Sequence, residues 1–533
     1  MNMIPVPDEN MNEIENKDLL DFINYYLWKG PIAKVVDGAE EALALAERCI
    51  PFQESVKWRQ ALGGIFTSVD ELCHIPGIQG DDLKQLAVQI EALDLTGLRV
   101  LMPFTTKNNR VDAYVNGPDC LHVILDEIHK AKRYIHMSVM LFFNDRSGNQ
   151  ITQALLDALH RGVQVRLMVN TTVTAIGYGK NLKNGNFTRM SEPLKSAGAQ
   201  IMNTFESCYS NKEWAAKREE LKAKGVSEAN LIVQDYIQKE ITTGLNVINH
   251  RKFIVIDGIS AIIGSINVGD QYLFDTPLLL EEESAENGMK LGIPSRAKEW
   301  HDGCFRIQGA AAQSLNEVFS VQWSVLDGDL FDTKDSFYHP QVDLNFGEEE
   351  CTVFASFPGN PVNLIQQYYL SLISYAASDV IIVNPYLIDK AFWDRLKSLD
   401  EVQSQHITIC NPLRVNDHPT NKSAVRGNMY EPFHKGVAYY DYSKTKRFSH
   451  WKINYDKYAD SIFHGSYNMN ERSACHDFEV GILVKGKAFA QKVKRMIDYD
   501  LSVSEHIKDS KEFFKHPSLH ISTYFNRLTS YFT

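Results

Sequence analysis

Two short stretches, far apart in the chain, repeat the same pattern. Residues 250–257 read HRKFIVID and residues 450–456 read HWKINYD, so each begins with His-x-Lys. Each is followed by a second strand-like run that ends in a shared quartet, GSIN at residues 264–267 and GSYN at residues 465–468. Because both motifs recur in the same order, they indicate an internal duplication.

Each copy places its polar residues where they can converge. On a β-strand, residues i and i+2 project from the same face, so His250 and Lys252 point together, as do Ser265 and Asn267 on the next strand. The apolar run at residues 254–256 suits a buried strand of an α/β sheet. The second copy supplies the matching set His450, Lys452, Ser466 and Asn468. Two lobes packed about a pseudo-twofold axis would line one cleft with both sets.

Such a cleft suits phosphoryl transfer at a phosphodiester. One neutral imidazole attacks phosphorus to form a phosphohistidine, while the other, protonated, donates to the leaving oxygen; the roles reverse when water or an alcohol arrives. Lysines and asparagine amides supply positive potential to the non-bridging oxygens, so neither metal nor cofactor is required. Zinc binding is the rival use of histidines, but the lysines would repel a cation and no third ligand stands at zinc spacing.

Apolar runs and helical stretches alternate around both motifs. Strand-like runs at residues 134–141 and 163–169 flank a helical run at 153–159, and the series returns at 380–383 and 407–410. Such alternation favours a sheet covered by helices. We therefore predict an α/β fold of two α/β/α sandwich lobes related by a pseudo-twofold axis.

The lobes are expected to occupy residues 98–340 and 341–533. Residues 1–97 lack strand-like runs and are predicted to form a helical N-terminal region. A charged stretch at about residues 206–243 is predicted to be a helical insertion in the first lobe. A solvated helix is its simplest interpretation, and a partner-binding helix is the alternative.

The composition is that of a globular protein. Of 533 residues, 44% are hydrophobic and 23% are charged, and acidic residues outnumber basic ones by 67 to 55 for a net charge of −12. A field of this sign repels polyanions, so nucleic acid is an unfavoured partner. Scattered cysteines without a repeated spacing favour a reducing compartment.

The sequence carries no signal-peptide pattern, no apolar run of membrane-spanning length and no lipidation motif. We therefore expect a cytoplasmic or peripheral-membrane location. Delivery into a host cell without a classical signal peptide is compatible with the same features.

Together these residues resemble the phospholipase D superfamily, whose signature is His-x-Lys-x4-Asp followed by Gly-Ser-x-Asn, present twice. The run Asn468–Ser473 resembles its bacterial cardiolipin-synthase-like branch. The resemblance extends over roughly residues 98–505 and implies two phospholipase D-like lobes. It also implies a metal-independent phosphodiesterase or phosphatidyltransferase that works through a phosphohistidine.

The resemblance also assigns roles. In that family the histidine of the first motif is usually the nucleophile and that of the second the general acid, here His250 and His450. A carboxylate downstream of each motif holds the tautomer of its own histidine, which implies Asp302 for His250 and Glu479 for His450. The candidate catalytic residues are therefore His250, Lys252, Asp257, Ser265, Asn267, Asp302, His450, Lys452, Asp456, Ser466, Asn468 and Glu479.

The second motif departs from the family pattern. Its seventh position after His450 is Lys457 instead of aspartate. Since that aspartate mostly supports structure in the family, Asp456 is expected to serve from a reshaped hairpin. A decayed second site, in a catalytically silent lipid-binding module, is the alternative.

Phospholipid and nucleic acid are the two main substrate classes for this chemistry. Near the first motif, the apolar stretch Tyr272–Leu280 is followed by Glu281–Glu283. Three carboxylates beside the cleft would repel a nucleic-acid backbone, whereas exposed leucines would favour a bilayer surface; burial of this stretch is the alternative. We predict a phospholipase D-like enzyme that hydrolyses phospholipids or transfers their phosphatidyl groups to water or an alcohol at a membrane surface, with a nuclease or other phosphodiesterase as the alternative.

Overall fold

A computed structural model describes residues 13–510, apart from breaks at 62–64, 96–97, 99–100, 172–173, 175–186, 205–210, 227, 244–246, 275–299, 327, 375, 377 and 446. Its strands, in chain order, are β1 (Phe104–Val115), β2 (Tyr134–Val139), β3 (Gln164–Val169), β4 (Gln200–Asn203), β5 (Ile248–Asn249), β6 (Phe253–Ile256), β7 (Ser260–Gly264), β8 (Gly303–Gln308), β9 (Glu349–Ser356), β10 (Val380–Val383), β11 (Ile407–Asn411), β12 (Ala438–Asp441), β13 (Ile453–Asp456), β14 (Ser461–Gly465), β15 (Asp477–Lys485) and β16 (Glu505–His506).

One continuous sheet runs through both lobes in the order β16-β12-β11-β10-β13-β14-β15-β9-β1-β8-β7-β6-β2-β3-β4, and β5 pairs with β15 beside it. Its centre is the antiparallel pair of β1 and β9. Outward from β1 the strands follow as β8, β7, β6, β2, β3 and β4, and outward from β9 their counterparts follow as β15, β14, β13, β10, β11 and β12. This mirrored order confirms the predicted α/β fold of two lobes related by a pseudo-twofold axis.

The α-helices lie at Glu13–Leu27, Glu40–Cys49, Phe52–Ala61, Val69–Cys73, Gly80–Glu91, Gly117–Lys130, Arg146–His160, Thr188–Ser196, Asn211–Ala223, Glu228–Thr243, Ala310–Val325, Leu364–Ser374, Lys390–Ser398, Glu401–Ser404, Pro419–Asn428, Tyr430–His434, Glu471–Cys475 and Lys487–Ser502, with a 3-10 turn at Ile32–Lys34. None of the helices within the described ranges combines the length and the apolar character that crossing a bilayer requires.

Alternation along the strands divides the core into two layers. In β6, Ile254 and Ile256 face the hydrophobic cluster beneath helix Gly117–Lys130, whereas Val255 faces the cluster beneath helix Ala310–Val325. Successive side chains of a strand point to opposite faces, so an uninterrupted apolar run is what a strand covered on both sides needs. This arrangement leaves the ends of the strands to carry the polar motif residues.

The N-terminal helices share their core with the second lobe. Phe22 and Leu86 belong to the same hydrophobic cluster as Ile365 in helix Leu364–Ser374. Val233 and Ile237, on the helix that ends at Thr243, join this cluster too. The prediction of a solvated helix is therefore wrong for Glu228–Thr243, because this helix buries apolar side chains between the N-terminal helices and the second lobe.

Candidate active site

Two backbone crossings place the His-x-Lys segments along the interface of the lobes. Ahead of His250, β5 pairs in parallel with the start of β15 in the second lobe, and the His250 N–H donates to the carbonyl of Phe478 at 3.0 Å. In the mirror arrangement, Ser449 bridges to His301, and the His450 N–H donates to the carbonyl of His301 at 2.8 Å. Each histidine segment therefore runs beside the opposite lobe.

This crossing exchanges the carboxylates. His250 Nδ1 lies 2.9 Å from Glu479 Oε1, and His450 Nδ1 lies 2.8 Å from Asp302 Oδ2. The implied pairing of each histidine with the carboxylate downstream in its own lobe is therefore wrong. The parallel bridges put each histidine next to a carboxylate of the other lobe, Glu479 within β15 or Asp302 just before β8. In both pairs the carboxylate can accept Nδ1–H and leave Nε2 for chemistry.

The motif serines act on these carboxylates. The hydroxyl of Ser265 donates to Asp302, and that of Ser466 donates to Glu479. Ser473, which stands outside the Gly-Ser-x-Asn quartet, also donates to Glu479 Oε1 at 2.5 Å. Charge-assisted bonds of this kind fix the carboxylate and hence the ring that it holds. The serines are thus positioning residues in this structure.

The lysines are buried beside the histidines. Lys452 Nζ donates to the carbonyl of His450 at 2.8 Å and lies 3.0 Å from Nε2 of the same ring. Lys252 Nζ donates to the carbonyl of His250 at 2.5 Å. Burial lowers the pKa of Lys252 to about 8, and burial together with the charge of Lys252 lowers the pKa of Lys452 to about 7.

The histidines are neutral and the carboxylates ionised. Burial lowers the pKa of His250, and burial together with Lys452 lowers the pKa of His450 to about 3. Burial alone would raise the pKa of Asp302 and Glu479, but the electrostatic attraction and hydrogen bond of the facing imidazole, together with the nearby lysine and motif serine, hold each below its usual value. Below about pH 7, where both lysines carry their protons, two ammonium groups balance two carboxylates, so a bound phosphodiester would give the cluster one uncompensated negative charge.

These pKa shifts predict pH-dependent anion binding. As pH rises through the lowered pKa values of Lys452 and Lys252, each ammonium loses its charge and its attraction for an anion. We expect the Kd for sulfate, which stays doubly charged throughout, to rise about tenfold or more between pH 6 and pH 9. Calorimetry at several pH values measures the effect. Lys452→Met should bind weakly with a shallower pH dependence, and a pH-independent Kd in the unsubstituted protein would contradict the prediction.

The two motif asparagines differ. Asn267 is already used, because its Oδ1 accepts a hydrogen bond from the N–H of Leu141 at 3.1 Å. The buried Oδ1 of Asn468 has no hydrogen-bond partner within the described part of the chain. The N–H of Asn468 donates to Ser473 Oγ at 3.3 Å, which ties this residue to the group that positions Glu479.

Asp257 and Asp456 lie outside this cluster, at the far ends of β6 and β13. Asp257, at φ 54°, accepts hydrogen bonds from the N–H groups of Lys132, Arg133 and Tyr134 at 2.8, 2.8 and 2.9 Å. Asp456 Oδ1 accepts from the N–H groups of its own turn, at Tyr458 and Ala459. Both aspartates brace backbone at the strand ends away from the cleft, so we expect them to contribute to catalysis through structure and not through contact with the substrate.

A matched pair of substitutions separates these braces. In Asp257→Asn the amide N–H₂ faces the Lys132 N–H, so one buried donor goes unsatisfied and the free energy of unfolding should fall by about 1–3 kcal/mol. In Asp456→Asn the retained oxygen accepts both bonds, and the fall should stay below about 1 kcal/mol. Urea unfolding measures both. Phosphodiester turnover per folded molecule should not change, and a thousandfold loss in either folded variant would contradict the structural role.

Two further groups complete the site. Arg251, between the first histidine and lysine, donates to the carbonyls of Ser356 at 2.8 Å and Glu479 at 3.1 Å, so it ties the first motif to the second lobe. Around His450 stands a set of aromatic rings within 6.3 Å, Tyr272, Trp300, Tyr386 and Phe448. No short sequence motif marks either group as part of the site. For Arg251, its position between the histidine and the lysine of the first motif is a signal that could have been used.

Part of the apolar stretch on which the lipid prediction depends lies outside the described residues. Tyr272, Leu273 and Phe274 are buried. The rest of the apolar stretch and the run Glu281–Glu283 belong to the break at 275–299. Within the described ranges, no group of three or more His, Cys, Asp or Glu side chains is arranged to hold a metal ion.

The chain is similar in sequence to known proteins. A family model described as "Cardiolipin synthase, PLD-like domain" matches residues 124–290 and 369–501. Cardiolipin synthase 1 of Staphylococcus aureus (strain COL) is 27% identical over 441 residues, covering 81% of this chain and 75% of that protein. The cardiolipin synthase of Oceanobacillus iheyensis is 25% identical over 401 residues, covering 75% of this chain and 70% of its own.

Among solved structures, the phosphatidylserine synthase of Haemophilus influenzae Rd KW20 superposes with a TM-score of 0.54. The superposition covers 81% of this chain and 97% of the synthase chain, and the two are 13% identical in sequence. At this identity the likeness concerns the fold.

Proposed function

Because this chain belongs to the family of cardiolipin synthase, PLD-like domains, we propose that it transfers the phosphatidyl group of a phospholipid to an alcohol or to water, through a phosphohistidine on His250 and without a metal ion. The observation that carries the proposal is the crossed pair of buried histidines. Each has its Nδ1 on a carboxylate of the other lobe and a lysine at its side.

In the first half-reaction, His250 is the nucleophile. With Nδ1–H held by Glu479, the lone pair of Nε2 attacks phosphorus, and the bond from phosphorus to the head-group oxygen breaks. His450 donates its Nε2 proton to that oxygen, so the head-group alcohol leaves neutral. Lys252 and Lys452 stabilise the charge that gathers on the non-bridging oxygens.

The second half-reaction runs the same steps in reverse. His450, now neutral, takes the proton of an incoming alcohol or water, whose oxygen attacks phosphorus. The bond from phosphorus to His250 Nε2 breaks, and a new phospholipid or phosphatidic acid is released. Transfer and hydrolysis therefore differ in the acceptor alone.

The substrate itself supplies the conditions for acid catalysis. In this structure Lys452 Nζ lies 3.0 Å from His450 Nε2, and burial together with Lys452 lowers the pKa of His450. A phosphodiester brings a negative charge to a balanced cluster and draws the ammonium to its oxygens. Both changes raise the pKa of His450. Substrate binding should therefore take up a proton, which makes His450 an acid when one is needed.

The choice of phospholipid over nucleic acid rests on charge and on the relatives. The net charge of −12 opposes a polyanion, and the matched proteins carry the names of phospholipid synthases. We place the enzyme at a membrane surface as a peripheral protein, because its substrates reside there.

A product profile tests the proposed function. Purified protein is incubated with vesicles of mixed phospholipids, with and without added glycerol or ethanol, and the lipids are analysed by mass spectrometry. We expect new phosphatidyl-alcohols that match the alcohol supplied, with phosphatidic acid from hydrolysis. Cleavage of single-stranded DNA without any lipid product would point to a nuclease instead, and binding without turnover of either would indicate a silent lipid-binding module.

Removal of metal ions should leave the activity in place. Charge stabilisation comes from the lysines, so dialysis against EDTA should change turnover on a monomeric, water-soluble phospholipid by less than about twofold. A soluble substrate avoids the separate effect of divalent ions on vesicle surfaces. Loss of turnover with EDTA that zinc or calcium restores would contradict the metal-free mechanism.

A further inference from the structure

The carboxylate of Asp417 lies beyond His450 and takes no part in either half-reaction. Asp417 Oδ1 accepts a hydrogen bond from Tyr386 Oη at 2.7 Å. The Tyr386 ring lies 6.3 Å from the His450 ring, and Lys452 Nζ lies 5.7 Å from the centre of the Tyr386 ring. Asp417 is thus one side chain away from the general acid, on the side of the site where the alcohol oxygen leaves and enters.

Hydrogen bonds of the Asn416 side chain hold the loop that carries Asp417. Asn416 Nδ2 donates to the carbonyls of Pro385 at 2.8 Å and Pro412 at 3.1 Å, and its Oδ1 accepts from the N–H of His418 at 2.8 Å. Both sides of Asp417 are therefore held in place. A fixed backbone positions a recognition group more accurately than a loose loop does.

The carboxylate has capacity to spare. Asp417 is half-buried, and among the described residues Tyr386 alone donates a side-chain hydrogen bond to it. Burial raises the pKa of Asp417, while the charges of His418 and Lys452 act in the other direction. Oδ2 accepts no side-chain hydrogen bond within the described residues, and a donor from a ligand would use this oxygen.

The charges nearby decide which donor fits. Lys452 Nζ lies 5.7 Å from the centre of the Tyr386 ring whose hydroxyl binds Asp417, so an ammonium bound here would meet a cation already in the site. A neutral hydroxyl meets no such repulsion and still forms a charge-assisted bond to the carboxylate. Tyr386 and Tyr272 pack around His450, so their rings would border the carbon chain of an alcohol whose oxygen meets this histidine.

Resting on the proposed function, we propose that Asp417 is a specificity-determining residue for the acceptor alcohol. It accepts a hydrogen bond from the second hydroxyl of a vicinal diol such as glycerol, while His450 takes the proton of the first. A simple alcohol or water lacks the second hydroxyl and gains nothing from Asp417. The site therefore favours polyol acceptors over monohydric alcohols and over amino alcohols.

Competition between acceptors tests this inference. Vesicles are offered equal molarities of glycerol and ethanol, and the ratio of phosphatidylglycerol to phosphatidylethanol is measured, so that overall activity cancels. In Asp417→Asn the ratio should fall about 10- to 100-fold, because the charged acceptor is lost. The rate of phosphatidylethanol formation should stay within about threefold of the unsubstituted enzyme. Asp394→Asn, which alters an exposed carboxylate paired with Lys390, is the matched control and should leave the ratio unchanged.

A second measurement needs no substitution. The unsubstituted enzyme should prefer 1,2-propanediol over 1-propanol and over ethanolamine as acceptor. An unchanged ratio in Asp417→Asn, or no preference for the diol, would overturn the inference, as would a selective loss of ethanolamine transfer, which would indicate an ammonium site. Absence of any phosphatidyl-alcohol from the unsubstituted enzyme would instead overturn the proposed function.

Discussion

Replacing His250 with asparagine should lower kcat for phosphatidyl transfer by about 10⁴-fold or more, since the proposed nucleophile is gone. Asparagine can still hydrogen-bond to Glu479, so the fold should survive. The matched variant His450→Asn removes the acid and base instead of the nucleophile. It should be equally inactive on ordinary phospholipids, whose head-group oxygens need a proton in order to leave.

An activated substrate separates the two histidines. A phosphatidyl ester with a nitrophenol leaving group needs little protonation, so it should phosphorylate His250 in the His450→Asn protein and stop there. Mass spectrometry of peptides after an acid-free quench locates the adduct. An adduct on His450 in the His250→Asn protein, with none on His250 in the other variant, would reverse the assignment. No adduct in any folded variant, without turnover in the unsubstituted protein, would favour the silent binding module.

The crossed carboxylates should show their pairing in kinetics. Glu479→Gln should slow adduct formation on His250 by about 10²- to 10⁴-fold with any leaving group, because the tautomer of the nucleophile is no longer held. Asp302→Asn acts on His450. It should slow reaction of ordinary phospholipids over the same range but change adduct formation from the nitrophenol ester by less than about tenfold.

The reverse pattern would contradict the crossing. If Asp302→Asn impaired the nitrophenol ester and Glu479→Gln spared it, each carboxylate would serve the histidine of its own lobe in solution. Folding controls are needed, because both carboxylates are buried and hydrogen-bonded by serines. Near-ultraviolet circular dichroism and sulfate affinity identify variants that retain the native cluster.

Much of the fold could be predicted because the pattern of apolar residues along a strand indicates which of its faces are buried. The apolar run at residues 254–256 and its counterparts predicted a sheet covered on both faces, and the duplicated motifs predicted two related lobes. Both features are local or repetitive, so a single sequence contains them. The packing of helix Glu228–Thr243 depends on contacts with distant segments, and its charged neighbours in the sequence concealed that burial.

In the candidate site, too, local sequence signals were predictive and contacts between distant segments were not. Residue type and i, i+2 spacing identified the two histidines and lysines that the structure brings together. The partner of each histidine was misassigned, because Glu479 follows His450 in the chain but lies against His250 in space. Only the parallel bridges between lobes decide this, and no sequence spacing encodes them.

The aspartate of the signature has a structural role that its place in the motif does not reveal. Asp257 stands in the signature, yet its three acceptor bonds serve backbone at the edge of the sheet away from the cleft. In the second lobe Lys457 takes the corresponding place and pairs with Asp379 at 3.0 Å. This ion pair is exposed, so the carboxylate that holds the turn in the second half is Asp456, through its bonds to the N–H groups of Tyr458 and Ala459. A brace one position earlier thus makes an aspartate at the signature position unnecessary there.

The exchange of carboxylates between the halves bears on ancestry. A single half contains a histidine without the acid that orients it, and an acid without the ring it serves. An ancestor with one copy of the gene could therefore have worked only as two identical subunits facing each other. Fusion of two such copies would keep the facing arrangement within one chain. A change to the acid of either half should then act on the reactive group of the other.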